Sequence, residues 1–176
     1  MADDTATKLG SAVTYTFGDG NNTFLMGLDG NAHNVATTTT FGAGHNSYIT
    51  TTTIDDINVA PTSSNYTQGF ATITNFSTTL DVLNIASAGA AGTFVTLTNP
   101  QQAAITAAPT LLAALNLAAV DVNTHTRGDT VAFQYGLDTY IYENNGAATT
   151  LHTGDGVIKL TGVTETALNG TNFVHA

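Results

Sequence analysis

A chain of 176 residues with 13 Asp and Glu against 3 Lys and Arg carries a net charge of −10, yet only 9% of its residues are charged, where about 25% is usual for soluble domains. Lys8, Arg127 and Lys159 are too scattered to form a basic patch, which excludes nucleic acid as a partner and makes an anionic membrane surface a poor one. A hydrophobic content of 42%, with many Thr, Val, Ile, Tyr and Phe, argues against disorder and for a single β-rich domain with a real core.

Residues 1–12 read as a polar N-terminal lead-in, and 13–176 as the β-rich domain. From 13 to 59, glycine and asparagine loops alternate with short β runs, expected at Val13–Phe17, Thr23–Met26, Val35–Thr40 and Tyr48–Ile54. The threonine runs are β-branched and stiff, which favours extended chain. Two stretches here are near copies, 24 residues apart: Phe17-Gly18-Asp19-Gly20-Asn21-Asn22-Thr23-Phe24-Leu25 and Phe41-Gly42-Ala43-Gly44-His45-Asn46-Ser47-Tyr48-Ile49. Each is one glycine and one aspartate short of the nonapeptide G-G-x-G-x-D-x-U-x of the parallel β-roll. In that repeat the glycines adopt turn dihedrals that a Cβ would forbid. The sixth residue turns an oxygen toward calcium, and the apolar eighth starts an inward-facing strand. Gly27-Leu28-Asp29-Gly30-Asn31 reads as a third, degraded turn.

Residues 60–69 are a loop by composition. Phe70–Asn75 alternates as a strand, a turn follows near Ser77–Thr79, and Val82–Ile85 is an apolar strand with Asp81 placed before it to cap the turn or bind an ion. Over 99–120, Pro100 and Pro109 sit in first-turn positions where a missing N–H costs nothing. Ile105, Ala108, Leu112, Leu115 and Ala119 recur at helical spacing, so one helical segment is expected, broken near Pro109 and packed on a sheet. Over 130–163, β runs return at Thr130–Tyr135, Thr139–Tyr142 and Val157–Leu160, with turns at Gly136-Leu137-Asp138 and Asn144-Asn145-Gly146; Asn-Gly between β runs signals a hairpin. Phe133, Tyr135, Tyr140 and Tyr142 then share one face.

The chemistry on offer is oxygen. Carboxylates near glycine turns are the candidate calcium ligands: Asp19, Asp29, Asp55, Asp56, Asp81, Asp138 and Asp155, helped by Asn22 and Asn46. Calcium takes about six to eight oxygens at roughly 2.3–2.6 Å, and the adjacent acids Asp55 and Asp56 repel each other until a cation relieves them. His33, His45, His125, His152 and His175 form no zinc-hydrolase pattern. There is no nucleophile elbow and no phosphate-binding loop, so no enzyme is expected. No cysteine is present, which leaves cations as the obvious external support for an acidic chain. The start, Met1-Ala2-Asp3-Asp4-Thr5, lacks the basic end and apolar run of a signal peptide. No run approaches the roughly 18 apolar residues of a membrane-spanning helix.

The two glycine turns resemble those of RTX β-rolls. Ile73-Thr74-Asn75-Phe76-Ser77 with Leu80-Asp81-Val82-Leu83-Asn84-Ile85 looks like the segment that follows the roll in serralysins, RTX lipases and alginate-epimerase modules. Val131–Ile141 and Thr153–Val163 are similar to the carboxy-terminal module of type I-secreted S-layer and related surface proteins. The resemblance implies a degenerate parallel β-roll or solenoid over 13–98, a helical insertion over 99–120, and a sandwich-like C-terminal module over 121–176 bearing an uncleaved export signal. It implies secretion to the cell surface and calcium as cofactor. No enzyme domain accompanies the module, which points to a structural protein that assembles with copies of itself into a layer, filament or matrix. The alternative is a calcium-dependent carbohydrate-binding or adhesion module, with Tyr135, Tyr140 and Tyr142 against a cell-surface polysaccharide; an enzyme acting on polysaccharide is a further rival. Asn22 and Asn46 depart from the family, which has aspartate there, and Phe17 and Phe41 replace its first glycine. Those departures lower the expected calcium affinity and suggest turns held by asparagine amides.

Overall fold

A computed structural model describes residues 5–8, 14–26, 37–50, 71–85, 92–122, 128–144, 149–151 and 155–175. Over these residues the protein is mainly β, with two α-helices and two sheets. In the first part of the chain, consecutive strands alternate between the sheets. β1 (Thr5–Lys8), β3 (Thr23–Met26), β5 (Ser47–Thr50) and β7 (Val82–Ile85) lie side by side in one sheet, and β2 (Thr14–Thr16), β4 (Thr37–Thr40) and β6 (Ala71–Thr74) in the other, all neighbours parallel. Thr23 pairs with Ser47 and Thr14 with Thr38, so the 24-residue repeat of the sequence is the register of the sheets. The next step is longer: Ser47 pairs with Val82 and Thr37 with Ala71.

The later strands extend these same two sheets. β8 (Phe94–Val95), β9 (Thr130–Tyr135), β10 (Asp138–Glu143) and β11 (Gly156–Leu160) complete the second sheet in the order β2-β4-β6-β11-β10-β9-β8; β12 (Phe173–His175) completes the first, beside β7. β10 runs antiparallel to its neighbours β9 and β11, and β11 joins β6 in parallel. β9 and β10 are linked by Gly136 and Leu137 alone, with Gly136 at φ 65°, the positive angle a two-residue hairpin needs at its first loop position. The Asn144–Gly146 turn is not a tight hairpin of this kind, because Glu143 pairs with Gly156 and the link runs over 144–155; 145–148 lie outside the described residues.

Between the sheets, Phe24, Tyr48, Leu83 and Ile85 meet Ile73, Ile141, Ile158 and Leu160, with Phe17, Phe41 and Phe76 filling the turn end. Each such side chain contributes about 1.5–3 kcal/mol on burial. The period-two pattern works as the composition implies: Ala71 and Ile73 are buried while Thr72 and Thr74 are half-buried. β4 departs from it chemically, since Thr37 and Thr39 point inward and their hydroxyls have no hydrogen-bond partner.

The single helical segment expected over 99–120 is two helices, α1 (Asn99–Thr106) and α2 (Leu111–Val122), separated at Pro109. Gln101 Oε1 accepts the Thr98 N–H at 2.8 Å to fasten the start of α1, and Thr110 Oγ1 accepts the Ala113 N–H at 3.2 Å at the start of α2. Ile105, Leu115, Ala118, Ala119 and Val122 pack on the outer face of the second sheet, against Val131, Phe133, Tyr142 and Val157. Thr5–Lys8, read from sequence as polar lead-in, forms β1; β8 and β12 were also unexpected.

Candidate functional site

The two copied turns stack. Gly42 and Gly44 lie directly against the preceding coil: a Cβ on Gly42 would come within 2.2 Å of the Gly18 carbonyl oxygen, and one on Gly44 within 2.1 Å of the Gly20 oxygen. Gly20 and Gly44 also hold φ values of 139° and 125°, which L side chains rarely adopt. Backbone bonds tie the coils, with the Gly20 N–H donating to Ala43 O at 2.7 Å and the Ser47 N–H to Asn22 O at 2.8 Å. Side chains add to them: Asp19 Oδ1 accepts the Ala43 N–H and Asn21 Oδ1 the His45 N–H, both at 3.0 Å.

Inside these turns runs a buried polar ladder of Asn22, Asn46 and Asp81. Asn22 Nδ2 donates to Gly18 O at 2.8 Å and Gly20 O at 3.2 Å within its own turn, and to Asn46 Oδ1 at 2.7 Å in the next. Asn46 Oδ1 also accepts the Asn22 backbone N–H at 3.3 Å, which fixes that atom as oxygen. Asn46 Nδ2 repeats the arrangement with Gly42 O at 3.1 Å, Gly44 O at 3.4 Å and Asp81 Oδ1 at 2.9 Å. Asp81 closes the ladder because its second oxygen is an acceptor too: Oδ2 takes the Ser77 N–H at 2.8 Å. Burial pushes the Asp81 carboxyl above the usual carboxylate range, opposed by the Ser77 and Asn46 donors and by His45 nearby. Beyond it, Asn172 Nδ2 donates to Thr78 O at 2.9 Å and Asp81 O at 3.0 Å. The third turn is one residue longer than the second, and Asn75 absorbs the extra residue at φ 59°, where asparagine is tolerated.

Of the expected calcium ligands among the described residues, the structure unites Asn22, Asn46 and Asp81 and sets Asp19, Asp138 and Asp155 apart from them. Asp19 is on the exposed rim of the first turn. Asp138 pairs with Lys159 at 2.7 Å and accepts the Gly162 N–H at 2.9 Å. Asp155 is fully buried and accepts the Tyr142 hydroxyl at 2.6 Å. Asp29, Asp55 and Asp56 lie outside the described residues, as do His33, His125 and His152. Among the described residues no three His, Asp or Glu side chains converge as a metal cluster.

The aromatic row does share a face, and that face is covered by the helices. Phe133 and Tyr140 stack with centroids 5.7 Å apart, and Tyr140 and Tyr142 are buried. Burial pushes the Tyr140 hydroxyl up to about 12, with the Asp138 charge adding to it, and raises that of Tyr142 further. Among the described residues, sequence reasoning missed several buried polar groups, Asn172, Asp129 and Asn144 among them. Asn172 extends the ladder, while Asp129 and Asn144 stitch the start of β9 to β8 and the end of β10: Asp129 Oδ1 accepts the Thr93 N–H at 2.6 Å, and the Asn144 N–H donates to Asp129 O at 3.0 Å. A signal existed in Gly128-Asp129-Thr130, a glycine and a short polar residue directly before a β run, much as Gly20-Asn21-Asn22 precedes Thr23.

No protein-family model matches the chain, and no curated protein is significantly similar to it.

Proposed function

We propose that this protein is a secreted, non-enzymatic structural subunit of the RTX-like, type I-secreted kind, built on a degenerate parallel β-roll, that assembles with copies of itself into an extracellular layer, filament or matrix. The observation that carries this reading is the open face of the first described turn. Gly42 and Gly44 are glycines against which a neighbouring coil lies, whereas a Cβ on Gly18 would meet nothing within 4 Å. Among the described residues, β1 and β2 are the edge strands of the two sheets at that same end. An edge strand is a template for another chain, and since β1 to β7 pair in parallel, a coil from a second copy laid on this end in the same direction would prolong both ladders. A contact of that head-to-tail kind propagates into a filament where its rotation does not close a ring.

Calcium enters this reading as a counter-charge. A net charge of −10 opposes close approach of copies, and divalent cations outside the cell weaken that repulsion. Two of the three rings on which the glycan-binding alternative rests, Tyr140 and Tyr142, lie beneath the helices, while Tyr135 is half-buried, which favours the structural reading over it.

Electron microscopy and light scattering of the pure protein, first with millimolar calcium and then with EGTA, test the proposal. Ordered assemblies that dissolve in chelator fit a calcium-dependent subunit. Assemblies indifferent to chelator retain the scaffold and remove the metal from it. A chain that stays monomeric at high concentration with calcium sinks the reading.

A further inference from the structure

The resemblance to calcium-binding rolls makes a specific demand on the turns, and the side chains present do not meet it. Calcium requires about six to eight oxygens at roughly 2.3–2.6 Å. What lies inside each turn is a cage of three oxygens with a nitrogen at its centre. Around Asn22 Nδ2 they are Gly18 O, Gly20 O and Asn46 Oδ1 at 2.8, 3.2 and 2.7 Å. Around Asn46 Nδ2 they are Gly42 O, Gly44 O and Asp81 Oδ1 at 3.1, 3.4 and 2.9 Å.

We infer that the carboxamide nitrogens of Asn22 and Asn46 do the work a cation would do in these turns, so that the stack closes without metal. An amide NH₂ bears two hydrogens and no accepting lone pair in this geometry, so it satisfies converging carbonyls as a cation would, one hydrogen being shared between two acceptors. The ladder also explains why the residue directly before the strand is asparagine twice, at 22 and 46, and then aspartate at 81. An aspartate at 22 or 46 would set acceptor against acceptor and crowd carboxylates together. At 81 the turn carries no such glycine carbonyls, and the second oxygen is needed for the Ser77 N–H at 2.8 Å.

The test is made on the full chain at micromolar concentration and fixed ionic strength, so that assembly does not enter. The side-chain amide resonances of Asn22 and Asn46 are followed by NMR in EGTA and through a calcium chloride titration. Unchanged shifts and slow hydrogen exchange in both conditions support the inference; saturable displacement of these resonances by calcium overturns it. The second arm is Asn22→Asp with Asn46→Asp. Its thermal midpoint should fall in EGTA and recover by roughly 4 °C or more with calcium but not magnesium. A double variant as stable as the parent in EGTA would overturn the inference. If the variant does not fold under either condition, the parent's amide resonances decide the matter alone.

Discussion

The two ends of the seven-stranded sheet solve one problem by opposite means. Around β2, β4 and β6 the chain is extended and parallel, and its turns are held by a buried line of amides and one carboxylate. Around β9, β10 and β11 it is antiparallel, and the sheet is held by apolar side chains under two helices. The first part tolerates few side chains near the stack, since backbone lies on backbone. The second tolerates many, provided they are apolar and the right size. A polar ladder gives position at little gain in energy, because net hydrogen-bond contributions are near 1 kcal/mol each; apolar burial gives energy with looser positional demand.

Truncation in the helix-backed part should cost most. Phe133 is fully buried and stacked on Tyr140, and Phe133→Ala is expected to lose about 4 kcal/mol in denaturant unfolding. A loss below about 1 kcal/mol would mean that the helices do not anchor this sheet. The turn stack should instead be sensitive to a single added carbon. Gly42→Ala drives a Cβ into the Gly18 carbonyl and should cost about 3 kcal/mol, whereas Gly18→Ala, with open space around it, should change stability by less than about 0.5 kcal/mol. Equal effects in the same unfolding assay would remove the stacked geometry. The smallest change should run the other way. Thr39→Val replaces a buried hydroxyl without a hydrogen-bond partner and is expected to stabilise by about 1 kcal/mol; calorimetry showing a lower midpoint would imply a role for that hydroxyl.

Much of the first part was legible because its signals are local. Thr23–Met26 and Val82–Ile85 have the bounds the sequence suggests, and the glycine spacing places the turns. Asp81 caps its turn through Ser77, as its position before a strand implied. The ladder itself was legible only in part. Asparagine-held turns could be anticipated from Asn22 and Asn46, but their union with Asp81 depends on a longer step between coils, 35 residues in place of 24, which no periodicity announces. β8 and β12 escaped because two or three residues carry no alternation to read. The aromatic row was placed correctly on one face, yet which face the helices cover is decided by packing far along the chain. The surroundings of each acid were the least legible, since a carboxylate beside a glycine looks the same in sequence whether it meets a metal, a lysine or a backbone N–H.

One joint in the structure bears on how the chain reaches it. β9 and β10 meet across a two-residue loop, so they need almost no search through chain space, whereas Ile158 must find Ala71 from far away. Contacts close in sequence form early and distant ones late. The C-terminal hairpin is thus the natural seed, and β11 offers it as a ready-made edge on which β6, β4 and β2 settle in turn. Growth would run backward along the sequence, each coil using its successor as a mould, with the N-terminal coil the last to settle and the first to fray.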